Sequence, residues 1–262
     1  MTTSLSIAGL QAGQRSDSNL KRPAGVSSEL SQTVFQIRTD PLKRTVAMSP
    51  DPLQKKLRLQ IRLTAIDEPL YQSWQRWCGD LPFVEVHQDS IFNGSADAII
   101  SPANSFGFMD GGIDRLYLER FGQSLQDRVQ NQIREDHGGE LLVGAATIVK
   151  TEDPEFPFLI AAPTMRVPMP VESSINAFLA ARAIFLLIRN GVISSGENAG
   201  QPVREYVKSI TVPGLATGVG RMSPVQCAKQ VRAAIEDVLL DRFQFPDSTS
   251  QIRKRHDRLL GK

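Results

Sequence analysis

The clearest early pattern in the chain is an alternation. Leu57, Leu59, Ile61 and Leu63 are separated by Arg58, Gln60 and Arg62, and a period of two predicts a half-buried strand. Tyr71, Trp74 and Trp77 follow at three-residue spacing, which puts them on one helix face and predicts core packing for the stripe. Short β-rich runs and longer helical ones then alternate. Val84–Val86, Ala98–Ile100, Ala146–Val149, Phe158–Ala161 and Ser209–Val212 read as strands, and Arg115–Arg120 and Gln126–Arg134 as helices. Ser174–Arg189 reads as a strongly apolar helix, with Asn190-Gly191 as a suitable C-cap. A polar loop follows at Gly196–Gln201. Pro224 opens a last helix reaching about Leu240, with proline in its first turn. No internal repeat interrupts this order. The alternation predicts an α/β fold, a three-layer α/β/α sandwich whose central mixed sheet is covered on both faces.

Composition changes the picture mainly at the ends. Residues 1–56 hold thirteen Ser/Thr and one aromatic, Phe35. So little apolar surface does not offset ordering entropy, and the segment reads as a disordered extension. Residues 57–245 read as the folded domain, and 246–262 as a loose charged tail or one frayed helix. The net charge of +2 excludes a histone-like protein. It divides into +4 over residues 1–56, −5 over 57–245 and +3 over 246–262.

Cys78 and Cys227 are too few for a disulfide scaffold and read as reduced thiols in a reducing compartment. No stretch approaches the roughly 18 apolar residues of a membrane span; the longest, Ala177 to Ile188, contains Arg182. The N-terminus lacks the pattern of a secretory signal. An intracellular, cytoplasmic monomer is the expectation. The Ser/Thr-rich start with Arg15, Lys21 and Arg22 leaves an organelle transit peptide open. His87, His137 and His256 have no metal-ligand spacing, so neither a metal nor a cofactor is expected.

Two loops carry the chemistry. The run from Ala96 to Gly122 takes a strand into a loop with Pro102, Asn104, Gly107, Gly111 and Gly112, and a helix begins near Ile113. Glycines just before a helix let a ligand approach the backbone, and the N–H groups there favour an anion, typically phosphate. The second loop follows the strand Ile210-Thr211-Val212 and reads Pro213-Gly214-Leu215-Ala216-Thr217-Gly218-Val219-Gly220-Arg221. Its composition suits a backbone nest for a diphosphate. It lacks the Lys-Ser/Thr of a P-loop, and its glycine gaps are not those of a dinucleotide-binding fingerprint.

In order and spacing these loops resemble the macro domain, the ADP-ribose-binding α/β/α module, over about residues 84–241. Its first motif, N-A-A-N followed by G-G-G-V-D, is matched by Ser101-Pro102-Ala103-Asn104 and Asp110-Gly111-Gly112-Ile113-Asp114. The second, near S-T-G-V/I-Y/F-G, is matched by Ala216-Thr217-Gly218-Val219-Gly220-Arg221. Three departures stand out. Asp89 lies one residue before Ser90-Ile91, where the family usually has Asp-Ile to read adenine. Gly220 replaces the aromatic of the second loop, a place that Phe106, Phe108 or Met222 could fill. Ser101 replaces the first asparagine.

The resemblance implies binding of ADP-ribose, or of a protein or metabolite carrying it. Asp89, Ser90, Ile91, Ala103, Gly111, Gly112, Ile113, Pro213, Gly214, Ala216, Thr217, Gly218, Val219, Gly220 and Arg221 would then be ligand-binding residues. Asn104 and Asp114 would flank the distal ribose in a hydrolase, Asp114 acting on the water and Asn104 on a ribose hydroxyl. Two residue-level alternatives remain: Asn104 bonding its own turn, and Asp114 simply favoured near a helix N-terminus. Arg166 reads as a phosphate ligand or a solvated surface side chain. The competing functions are a non-catalytic ADP-ribose reader and, disfavoured by the acidic middle, nucleic-acid binding through the basic ends.

Overall fold

A computed structural model of the protein describes residues 59–262. The extension expected for residues 1–56, and Leu57 and Arg58 of the predicted strand, lie outside the described residues. Six strands form one sheet: β1 (Gln60–Ala65), β2 (Val84–Gln88), β3 (Ala98–Ser101), β4 (Thr147–Lys150), β5 (Phe158–Ala161) and β6 (Ser209–Val212). Their order is β2-β1-β6-β3-β5-β4. Every neighbouring pair is parallel except the edge pair β4–β5, so the sheet is mixed, as the sequence predicts.

The period of two sorts the strand side chains between two cores. Ile100 of β3, Ile148 of β4 and Ile160 of β5 point to one face. Their neighbours Ile99, Val149 and Leu159 point to the other. The first face is covered by α1 (Glu68–Cys78), α4 (Asn176–Asn190) and α6 (Pro224–Val238), the second by α2 (Gly112–Phe121) and α3 (Gln123–Asp136). This is the α/β/α sandwich.

Local signals set the helix ends. The Asp67 carboxylate accepts from Leu70 N–H at 3.0 Å to open α1, and Ser223 does the same for α6 from Gln226 N–H at 3.2 Å. Trp74 of the aromatic stripe is fully buried, whereas Tyr71 and Trp77 pack against the core from its edge. Gly191 ends α4 but not in the left-handed form expected of a glycine cap: its φ is −79°. Glycine is needed there for space, because a Cβ would lie 2.5 Å from Leu187 O.

Two further helices complete the described residues: the short α5 (Val203–Tyr206), which the sequence does not predict, and α7 (Thr249–Leu259) within the charged C-terminal stretch. α7 buries no residue. It is held by polar contacts, the Gln226 and Gln230 amides donating to Leu259 O at 2.8 and 3.0 Å.

Cys78 and Cys227 are buried and unpaired. Burial pushes both thiols up to about 12. Since the thiolate is the nucleophile, a thiol reagent at about pH 8 should label neither cysteine of the native protein and both after denaturation. Native labelling within minutes would contradict this burial.

Candidate functional site

Because β1, β2, β3, β5 and β6 run parallel, their carboxyl ends share one edge of the sheet, where crevices of α/β folds bind ligands. A cleft of about 640 Å³ opens there. It is lined by residues 64–67 at the end of β1 and just beyond it, Asp89–Ile91 after β2, Pro102–Asn104 and Asp110–Asp114 after β3, Thr164 and Met165 after β5, and Pro213, Gly214 and Ala216–Gly220 after β6. Topology thus brings together the two glycine loops and the residues after β2, which are far apart in sequence.

Of the expected site residues, Asp89, Ser90, Ile91, Ala103, Asn104, Gly111, Gly112, Ile113, Asp114, Pro213, Gly214, Ala216, Thr217, Gly218, Val219 and Gly220 all line this cleft. Arg221 does not. Its backbone is left-handed, at φ 54°, and its N–H donates to Gly218 O at 3.0 Å, closing the loop rather than lining the cleft.

The glycines divide by what surrounds them. A Cβ on Gly214 would lie 2.2 Å from Thr217 Oγ1, and one on Gly220 would lie 2.5 Å from Ala216 O. These two serve the loop's own packing. At Gly111, Gly112 and Gly218 nothing lies within 4 Å of an added Cβ, so the backbone there is open to a ligand. Gly112 also has φ +58°, which costs a non-glycine residue. Gly111 is the N-cap of α2 and supplies no side-chain cap. The first N–H groups of that helix are left for another acceptor.

Asn104 is turned back on its own loop. Its Oδ1 accepts from the N–H groups of Phe106 and Phe108 at 3.1 and 3.3 Å, and its Nδ2 donates to Phe108 O at 2.8 Å. A carboxamide has two donors and two acceptor sites, so one N–H remains for a ligand. The turn role is therefore real, and it leaves room for one further contact.

Asp114, in the first turn of α2, is 8 % exposed and lines the cleft. Its Oδ1 accepts from Ser101 Oγ at 2.5 Å. Burial pushes the carboxyl up to about 7; Ser101's hydrogen bond opposes this and the charge of Asp110 adds to it. The Asp89 carboxylate is engaged locally, accepting from the Asn93 amide and from Ser90 N–H. Those bonds, Asn93 first, hold it below the usual carboxylate range.

Of the three stand-ins for the missing aromatic, Phe108 lines the cleft at 53 % exposure, and Met222 is buried in the core. Phe106 lies outside the lining, with the Arg166 guanidinium 5.2 Å from its ring centre. Arg166 is tied to Glu140 by two bonds at 2.7 and 3.1 Å, away from the cleft. Among the described residues no Lys or Arg lines the cleft, whereas four aspartates do: Asp67, Asp89, Asp110 and Asp114. Among the described residues no cluster of His, Cys, Asp and Glu is arranged to hold a metal. No helix among them is long and apolar enough to cross a membrane.

Sequence does not mark the end of β1 and the turn into α1, where Thr64, Ile66 and Asp67 line the cleft. That turn precedes the two-loop pattern, and nothing in its local sequence marks a ligand. In the sequence Ser101 stands out only as a departure from the motif; its bond to Asp114 is a tertiary fact.

Comparison with known proteins gives four findings. An uncharacterized protein of Aquifex aeolicus (strain VF5) is 29% identical over 184 residues, which are 68% of this chain and 98% of that protein. The macrodomain of Mycobacterium tuberculosis DarG aligns at 16% identity over 58% of this chain and 88% of its own, with a TM-score of 0.46. An Oceanobacillus iheyensis macrodomain with ADP aligns at 18% identity over 63% and 84%, with a TM-score of 0.43. A family model described as Macro domain matches residues 100–231. That stretch is half of the chain and contains both glycine loops with everything between them, so the chain belongs to the macro domain family.

Proposed function

We propose that this protein binds ADP-ribose, free or attached to a protein or metabolite, and hydrolyses the bond at its distal ribose. The observation that carries the reading is Asp114, a buried carboxyl raised to about 7 at the wall of the cleft. A group near neutrality takes up and returns a proton at little cost. The diphosphate needs no cationic side chain in this reading. The uncapped N-terminus of α2 and the loop after β6 offer backbone N–H groups to it. For a glycosidic link the oxygen of a water bonds to the anomeric carbon as the bond to the acceptor breaks; for an O-acetyl ester it bonds to the acyl carbon as the bond to the ribose oxygen breaks. In each case the leaving group takes the electron pair. Asp114 takes the water's proton and passes it to the leaving group. Asn104's remaining N–H orients a ribose hydroxyl.

The second reading, a reader that binds without turnover, draws on the commitment of Asn104 to its own turn. Nucleic-acid binding through the basic ends gains nothing from a cleft that no Lys or Arg lines.

Calorimetry should give a Kd for ADP-ribose of about micromolar strength; no heat at millimolar ligand overturns the binding claim. Incubation with mono-ADP-ribosylated protein and with O-acetyl-ADP-ribose decides between hydrolase and reader.

A further inference from the structure

Ser101 is the last residue of β3 and is fully buried. Its backbone is held by pairing with Ala161 of β5, and its carbonyl accepts from Ala162 N–H at 2.9 Å. The side-chain oxygen therefore has a fixed origin behind Asp114, which lines the cleft. An acidic residue at the third position of a helix ordinarily reaches back to the N–H of its own N-cap. Asp114 turns inward instead. Its only hydrogen bond within the described residues comes from Ser101 to Oδ1, at 2.5 Å, and Oδ2 has none.

We propose that Ser101 is a positioning residue: its hydroxyl holds Oδ1 of Asp114 so that Oδ2 is presented to the cleft and to the ligand's water. The role in turnover rests on the hydrolytic reading above; the hold on the carboxylate does not. Three groups face this carboxyl. Ser101 donates from β3, Asp110 adds like charge from the loop before α2, and Tyr117 of α2 lies close by, its hydroxyl already donating to Ile100 O at 2.9 Å. Among the described residues no Lys or Arg lines the cleft to take over. Ser101 is thus the one group that both orients Asp114 and favours its ionised form.

The test follows the Asp114 side-chain carboxyl by carbon NMR across pH in wild type, Ser101→Ala and Ser101→Thr, with Asp114→Asn identifying the signal. In Ser101→Ala the titration moves to higher pH. Turnover near neutrality falls about tenfold, the scale of one hydrogen bond to a charged group, and recovers as pH rises, while the Kd for ADP-ribose stays within about threefold. Ser101→Thr keeps the hydroxyl and restores both the titration and the rate. If the alanine variant melts early, Ser101→Cys, similar in volume with a weaker donor, replaces it in the same comparison. An alanine variant that titrates like wild type overturns the proposal, as does lost turnover with an unmoved titration. A wild-type protein that binds ADP-ribose but never cleaves defeats the hydrolytic reading alone, and the titration then decides the Ser101 assignment.

Discussion

Replacing Asp114 by asparagine should lower turnover by about a thousandfold, within the usual range for a general acid or base, and leave ADP-ribose binding within a few-fold of wild type. Asparagine keeps an oxygen that can accept from Ser101, so the geometry survives and only the proton-carrying function is removed. Wild-type turnover should rise with pH through about 7, where Asp114 ionises, because a base works in its charged form. Single-turnover kinetics measure this directly, and an unimpaired asparagine variant would remove Asp114 from the mechanism.

The same substitution has a stability signature. The folded protein holds the Asp114 proton more tightly than the unfolded chain, with a carboxyl near 7 against an ordinary 3.8. The folded state therefore has its full advantage below about pH 4 and loses it as pH rises to about 7. Three units correspond to a penalty on the order of 4 kcal/mol for the ionised form at higher pH. Asp114→Asn should escape that penalty, melting above wild type at about pH 8 but not at about pH 4. Equal differences at both pH values would show that Asp114 is not held near neutrality.

The second large effect separates two kinds of glycine in one loop. Gly218→Val should weaken ADP-ribose binding by about a hundredfold or more, the scale of a blocked contact worth roughly 3 kcal/mol, with little change in melting temperature. Gly218 lines the cleft, its φ is not positive, and nothing stands within 4 Å of an added Cβ. The new side chain therefore meets the ligand rather than the protein. Gly214→Val should instead lower stability, because its Cβ would stand 2.2 Å from Thr217 Oγ1 and 2.7 Å from Leu70 Cδ2. A Gly218 variant that binds normally would place the ligand away from this loop.

Much of the fold was legible because burial on a sheet imposes a period of two and burial on a helix one of 3.6. The helix from Pro224 follows its period, and the runs Ala98–Ile100 and Phe158–Ala161, apolar throughout because the sheet is covered on both faces, occur where expected. α5 was not legible, since four residues around Arg204 and Glu205 carry no periodic signal. The cap at Gly191 was read for the wrong reason: close approach to Leu187 O, not a left-handed backbone, demands glycine.

For the site, the sequence by itself determined which two loops belong to the macro domain pattern and which residue types they carry, because those motifs are contiguous. Tertiary structure alone decided three further matters. Five parallel strands end at one edge, so the β1–α1 turn joins the cleft although no motif marks it. Backbone geometry turns Asn104 onto its own loop and sends the Arg166 side chain to Glu140. Burial beside Ser101 and Asp110 gives Asp114 a titration near neutrality. Each depends on distances between groups far apart in the chain, and on exclusion of water, which local residue order does not encode.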